Sequence, residues 1–132
     1  MKKIDIIVDC ADPDRLAAFW ASALGYEKVL RFGHYTILSR GGPGFPRLAL
    51  QRVPEAKAGK NRLHLDIVEA DIEAEAARLE RLGAHRLEDG ARREQLHEVV
   101  VNWIVMADPE GNEFCVCDGG TAIATGDTGT TA

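Results

Sequence analysis

The sequence is poor in cysteine, in basic clusters and in long apolar runs, and each shortage argues against a class of protein. Its 132 residues carry three cysteines and a formal net charge of −5. Nucleic-acid binders usually present a basic face, so this charge argues against a nucleic-acid partner. No apolar stretch approaches the roughly 20 residues of a membrane span. The N-terminus lacks a signal-peptide pattern, and we therefore expect a cytoplasmic protein with no membrane partner.

The three cysteines do not indicate a disulfide framework, because their number is odd and no export signal precedes them. In a strand, Cys115 and Cys117 would point the same way with Cα atoms about 6.5–7 Å apart, at or beyond the limit for a disulfide. A Cys-x-Cys pair without a second Cys/His cluster is also a weak zinc signal. We interpret the pair as small apolar residues on a buried strand face.

The first half of the chain predicts a strand, a helix and three shorter strands. Ile4–Cys10 alternates in the manner of a half-buried strand. Asp12 is a suitable N-cap with Pro13 at the first helical position, and Gly25 suits a left-handed helix end. The shorter strands are predicted at 26–31, 35–40 and 48–53.

The second half repeats this order after a polar linker at 54–62. The alternating run RLHLDIVEAD predicts a strand, and Asp71 and Gly83 bound the following helix. Further strands are predicted at 85–88, 99–107 and 112–117. The polar segment 89–98 is predicted to be an exposed, mobile loop.

Equivalent positions in the two halves indicate an internal repeat, since Asp5 and Asp12 recur at one offset as His64 and Asp71. One half alone could hardly form a core. We therefore predict an α+β domain at 1–119 with two tandem βαβββ modules, about 1–55 and 61–119. These modules should form a concave mixed β-sheet with the helices on the outside. The segment 120–132 is predicted to be a flexible C-terminal tail.

Three segments carry a resemblance to a known family: DCADPDRLAAFWASALGY, LHLDI and WIVMADPEGNEFCVC. Together they resemble the vicinal oxygen chelate superfamily of glyoxalases, bleomycin-resistance proteins and extradiol dioxygenases, most closely its glyoxalase-like domains. The resemblance covers about residues 4–118 and implies a small-molecule ligand and a homodimer. Within it, Asp108-Pro109-Glu110-Gly111-Asn112 is interpreted as a structural hairpin turn. A contact from Asp108 or Glu110 to a ligand is the alternative.

The resemblance also indicates where a metal ion would bind, because metal-using members hold a divalent ion with His and Glu on the first and last strand of each half. It places Asp5, Gln51, His64 and Cys115 at these positions. Neutral Gln is a weak ligand, and Cys suits zinc or copper(I) rather than magnesium, nickel or iron. We therefore expect a degenerate metal site and no cofactor, with a divalent ion on these four residues as the alternative. Glu113 could replace the missing carboxylate.

The same inward face supplies candidate ligand-binding residues. Tyr35 and Trp103 hold equivalent places in the two halves and could stack on a planar ligand. The full candidate set is Tyr35, Gln51, His64, Trp103, Glu113 and Cys115. If Asp5 lies near His64, the carboxylate could orient the imidazole as a general base, whereas a purely hydrogen-bonded histidine is the alternative.

These residues favour a small-molecule-binding protein that sequesters a drug or metabolite in a groove between the modules. A metal-dependent lyase, isomerase or dioxygenase of the same superfamily is one alternative. A catalytically silent, metabolite-sensing module is another. The sequence leaves open whether the protein is an enzyme, because one fold hosts many functions.

Overall fold

The computed structural model describes residues 2–42 and 44–123, which divide into two compact units. The first unit comprises the residues up to Gly59 together with the segment Asp108–Gly111. The second comprises Lys60–Ala107 and the residues from Asn112 onward. Among the described residues, no helix is long and apolar enough to cross a membrane.

The first unit contains one helix and a four-stranded sheet. Its elements are β1 (Asp5–Cys10), α1 (Pro13–Leu24), β2 (Lys28–Phe32), β3 (Tyr35–Ser39) and β4 (Arg47–Arg52). The strand order is β1-β4-β3-β2, in which β1 runs parallel to β4 and the other neighbours are antiparallel.

The ends of α1 follow the predicted signals. The Asp12 carboxylate accepts a hydrogen bond from the Arg15 backbone N–H at 3.2 Å, and Gly25 ends the helix in the left-handed conformation with φ 70°. Leu16 and Trp20 are buried on the face of α1 that packs on β3 and β4. The helix thus covers one face of the first sheet.

The second unit contains one helix and a six-stranded sheet. Its elements are β5 (Asp66–Val68), α2 (Ile72–Leu82), β6 (His85–Arg86), β7 (Arg92–Leu96), β8 (Val99–Ala107), β9 (Glu113–Cys117) and β10 (Thr121–Ala122). The main path is β10-β8-β9-β5, with β5 parallel to β9, and both β6 and β7 pair with β8. The predicted α+β class is confirmed, and the first unit has the predicted βαβββ order. In the second unit, five strands rather than the predicted three follow α2.

Two segments of the second unit differ from the prediction. Arg92–Leu96, within the predicted loop 89–98, forms β7 by pairing with β8. All of its residues are exposed, so it has no apolar alternation for the sequence to reveal. Thr121–Ala122 pairs with β8 at Val99 and Val100, and the remainder of the predicted tail, from residue 124, lies outside the described residues.

The turn that joins β8 to β9 is anchored by two carboxylates, which confirms its structural interpretation. Asp108 is fully buried and accepts hydrogen bonds from Trp20 Nε1 at 3.0 Å and from the Glu110 backbone N–H at 2.9 Å. The Glu110 carboxylate accepts from the backbone N–H groups of Ala11 at 2.7 Å and Asp12 at 2.9 Å. Gly111 closes the turn with φ 86°, a conformation that favours glycine.

Candidate functional site

The second sheet has one face packed on α2 and one open face. Along β9, Phe114 and Val116 are buried, whereas Cys115 and Cys117 are half-buried on the opposite side. The prediction that the two cysteines occupy a buried strand face is therefore wrong. Alternation gives the buried face to the bulkier Phe and Val, which fill more of the space beneath α2.

Strand register arranges the open face in two rows of neighbouring side chains. The first row contains Asp66, Cys115 and Val105 on β5, β9 and β8. The second row contains Val68, Cys117, Trp103 and Arg92. Because adjacent strands lie about 4.8 Å apart, members of a row are in reach of one another.

Three potential metal ligands meet at one end of the first row. His64 Nδ1 lies 3.0 Å from Asp66 Oδ1, and one ligand atom each from His64, Asp66 and Cys115 all lie within 4.8 Å of one another. Within residues 2–42 and 44–123, this is the one group of three or more His, Cys, Asp or Glu side chains so arranged. Both His64 and Asp66 are exposed, with side-chain exposures of 47% and 46%, and could be reached by a solute.

The surroundings of Cys115 favour the neutral thiol. Burial is the largest cause that raises the pKa of Cys115, and the negative charge of Asp66 adds to it. The Arg92 guanidinium opposes this effect, but it is itself paired with Glu88 at 2.8 Å. Without a bound cation, Cys115 is therefore a weak nucleophile, which argues against covalent thiol catalysis.

The donor set fits a borderline ion such as zinc better than a hard ion such as manganese. Zinc accepts imidazole, carboxylate and thiolate ligands, whereas manganese prefers oxygen ligands. A tetrahedral zinc site has donors about 3.5 Å apart. The present donors lie within 4.8 Å of one another, so the side chains would close by about 1 Å around an ion. The cluster supplies three donors and leaves a fourth position for water or a ligand.

The first unit does not bring Asp5 and Gln51 together, which argues against a single ion held by all four predicted residues. Register pairs Asp5 with Arg47 and Gln51 with Asp9, which separates the two by four residues, about 13 Å, along the strands. Arg47 donates to both Asp5 oxygens at 3.0 and 2.7 Å, and this hydrogen bonding lowers the pKa of Asp5. Within the second unit, the carboxylate paired with His64 is that of Asp66, at 3.0 Å from Nδ1.

The register also corrects the repeat alignment of Gln51. Asp66 aligns with Cys115 in the second sheet, and its repeat equivalent Ile7 aligns with Ala49 in the first. Ala49 is therefore the counterpart of Cys115, while Gln51 is the counterpart of Cys117. The structure retains the predicted equivalence of Tyr35 and Trp103, because they align with Gln51 and Cys117 respectively.

Glu113 accepts hydrogen bonds from the linker residue Asn61 and is not a member of the His64, Asp66 and Cys115 cluster. Its carboxylate accepts from the Asn61 backbone N–H at 2.9 Å, and its carbonyl accepts from Asn61 Nδ2 at 3.2 Å. The carboxylate next to Cys115 comes from Asp66, which the sequence interpretation did not select. The sequence alternation places His64 and Asp66 on one face. It does not reveal that β9 pairs with β5 and brings Cys115 next to Asp66.

Residues 5–117 match the family model described as "Glyoxalase-like domain". Comparison with curated proteins found no match. A glyoxalase/bleomycin resistance protein/dioxygenase family enzyme from Burkholderia phytofirmans PsJN has a similar structure, with TM-score 0.64 and 15% identity over 86% of this chain and 98% of that chain.

Two fosfomycin resistance proteins also share the fold. FosX from Mesorhizobium loti has TM-score 0.62 and 16% identity over 89% of this chain and 92% of its own. A mutant FosX from Listeria monocytogenes, complexed with Mn(II) and 1S,2S-dihydroxypropylphosphonic acid, has TM-score 0.67 and 14% identity, covering 87% of both chains.

Proposed function

Because the chain belongs to the glyoxalase-like domain family, we propose that it binds a small organic molecule on the open face of its second sheet. The observation that carries the proposal is the presence on this face of a half-buried aromatic side chain, Trp103, together with the polar residues His64, Asp66 and Cys115. Ligand sites commonly combine apolar surface with a few polar groups in this way.

The chemistry of the face favours a planar ligand with a polar edge. The Trp103 indole offers a large surface for stacking, and apolar surface is added by Cys117 opposite it and by Val101 and Val105 on the same face of β8. His64 and Asp66 offer hydrogen-bonding groups that are open to solvent. An aromatic molecule that carries hydroxyl, amine or amide groups matches both parts, so sequestration of a drug or metabolite is the use we propose.

A metal-dependent lyase, isomerase or dioxygenase is the second candidate, and the three-donor cluster is the observation that favours it. His64, Asp66 and Cys115 would hold the ion, which would polarise substrate oxygens as a Lewis acid. The FosX mutant was solved with Mn(II). Manganese would suit the cluster of the present chain poorly, because Cys115 contributes a thiol. The resemblance supports a homodimer, for which sedimentation velocity is the direct measurement.

We expect Trp103→Ala to weaken binding of aromatic ligands about 10-fold or more, because the stacking surface is lost. A panel of polar aromatic compounds would be screened by thermal shift in the presence of a chelator, and hits would be titrated by calorimetry. Phe32→Ala is the matched control, since Phe32 is an aromatic residue that is 74% exposed on the first unit.

Equal affinities of Trp103→Ala and the unaltered protein would contradict the proposed site. A panel with no binders would contradict the proposed function. Metal-dependent turnover of a member of the panel, abolished by the chelator, would favour the second candidate.

A further inference from the structure

The parallel pairing of β5 with β9 places Cys115 beside Asp66, and a backbone hydrogen bond at Leu65 contributes to this register. The Cys115 N–H donates to the Leu65 carbonyl at 3.0 Å, and Leu65 is the residue between His64 and Asp66. In a parallel strand pair this bond fixes the register at the position where the three side chains share a face. Asp66 and Cys115 are therefore held by the strand pair itself, and His64 lies two residues before the start of β5.

We infer that His64, Asp66 and Cys115 form a zinc site within the second unit, with imidazole, carboxylate and thiolate ligands and an open fourth position. The inference rests on the same open face as the proposed function and deepens its second candidate, but its test measures metal binding without the organic ligand. It differs from the expected four-residue site in using Asp66, in omitting Asp5 and Gln51, and in lying entirely on β5, β9 and the residues just before β5.

The first unit has one equivalent donor, Asp5, which is paired with Arg47, so we place the site in the second unit alone. The row that corresponds to Asp66 and Cys115 consists of Ile7, Ala49, Ile37 and Leu30, all apolar. We therefore expect about one zinc ion per chain.

The thiolate decides the metal. A site with oxygen and nitrogen donors alone would accept manganese or magnesium, whereas a thiolate shifts preference to zinc. Zinc should therefore bind at least about 100-fold more tightly than manganese. Cys115→Ser should lower zinc affinity and reduce this preference without abolishing it, because a neutral hydroxyl is a poor ligand while imidazole and carboxylate donors still favour zinc over manganese.

The test uses the full chain, stripped with chelator and titrated with zinc and manganese in competition with a chromogenic chelator. Elemental analysis of the dialysed protein gives the stoichiometry. Cys115→Ser and His64→Ala should lower zinc affinity about 100-fold, and Asp66→Asn about 10-fold. Cys117→Ser is the matched control, because Cys117 lies on the same strand and face but outside the cluster, and it should bind zinc like the unaltered protein.

Cobalt gives a spectroscopic readout of the thiolate. The cobalt-loaded protein should show a thiolate-to-cobalt charge-transfer band that persists in Cys117→Ser and disappears in Cys115→Ser. Alkylation of the unaltered protein, mapped by mass spectrometry, avoids dependence on a folded variant: zinc should protect Cys115 and leave Cys10 unaffected.

Three results would overturn the inference: no zinc retained after dialysis, manganese bound as tightly as zinc, or no protection of Cys115. None of these results bears on the proposed organic ligand, whose binding is measured in chelator through Trp103. A failure of the zinc site and a failure of the proposed function are therefore distinguishable.

Discussion

Asp108 shows how one buried carboxylate can organise a turn. Its two side-chain oxygens accept from different donors, the Trp20 indole N–H and the Glu110 backbone N–H. A buried charge is expensive unless such partners satisfy it. Asp108, for which a ligand contact was the alternative interpretation, therefore has a structural role.

We expect Asp108→Asn to lower the free energy of unfolding by about 1–3 kcal/mol. The asparagine oxygen can still accept one hydrogen bond. The asparagine NH2 group would face the other N–H donor, so one of the two hydrogen bonds is lost. Urea denaturation followed by circular dichroism measures the change. Asp89→Asn, at an exposed position, is the control and should stay within about 0.5 kcal/mol of the unaltered protein. Similar stabilities for the two variants would contradict the structural role of Asp108.

The helices are the elements that the sequence predicts best, because their signals are local. Asp12 and Asp71 each cap a helix, because each carboxylate accepts a hydrogen bond from the backbone N–H of the residue three positions later. Gly25 and Gly83 each end a helix in the left-handed conformation. Strands depend on distant partners instead. β7 was missed because its strand character comes from pairing with β8 and not from its own exposed residues.

A pair within α2 makes a pH-dependent contribution that can be measured. Arg78 donates to both oxygens of the buried Glu75 at 2.6 and 2.8 Å, and this hydrogen bonding lowers the pKa of Glu75. The stabilisation is therefore present above the unfolded pKa, near 4.3, and is lost as the pH falls through the lower folded value. We expect Glu75→Gln to cost about 1 kcal/mol at pH 7 and almost nothing below the folded pKa.

Urea denaturation across a pH series, with Glu55→Gln as the exposed control, measures this difference. A cost for Glu75→Gln that stays constant down to low pH would show that the ion pair is not its source. The double variant Glu75→Gln/Arg78→Met then isolates the coupling between the two side chains.

At the scale of the whole molecule, the repeat was predictable but its register was not. The offset between Asp12 and Asp71 follows from the sequence, as does the equivalence of Tyr35 and Trp103. Which residue of β4 lies beside β1 depends on non-local pairing, and a shift of two residues placed Gln51 where Ala49 belongs. For the same reason, the sequence did not reveal that Asp66 lies opposite Cys115, because the two residues are brought together by pairing between distant strands.

The repeat makes the zinc site transferable. We expect the triple variant Asp5→His/Ile7→Asp/Ala49→Cys to bind about two zinc ions per chain instead of about one, because its side chains reproduce the second-unit cluster on β1 and β4. Elemental analysis measures the stoichiometry. Asp5→His/Ile7→Asp, which lacks the cysteine, is the control and should stay at about one. An unchanged stoichiometry in a folded triple variant would show that matched register is insufficient.

The discontinuous first unit has a consequence for synthesis on the ribosome. Its first 59 residues emerge well before Asp108–Gly111 is translated. Until that tetrapeptide is made, the nascent chain lacks two carboxylates that accept hydrogen bonds. Asp108 accepts from the Trp20 indole N–H, and Glu110 accepts from the backbone N–H groups of Ala11 and Asp12. The first unit therefore cannot complete its folding until Asp108–Gly111 has been translated. A chain that terminates before Asp108 would leave the first unit incompletely folded and dependent on chaperones.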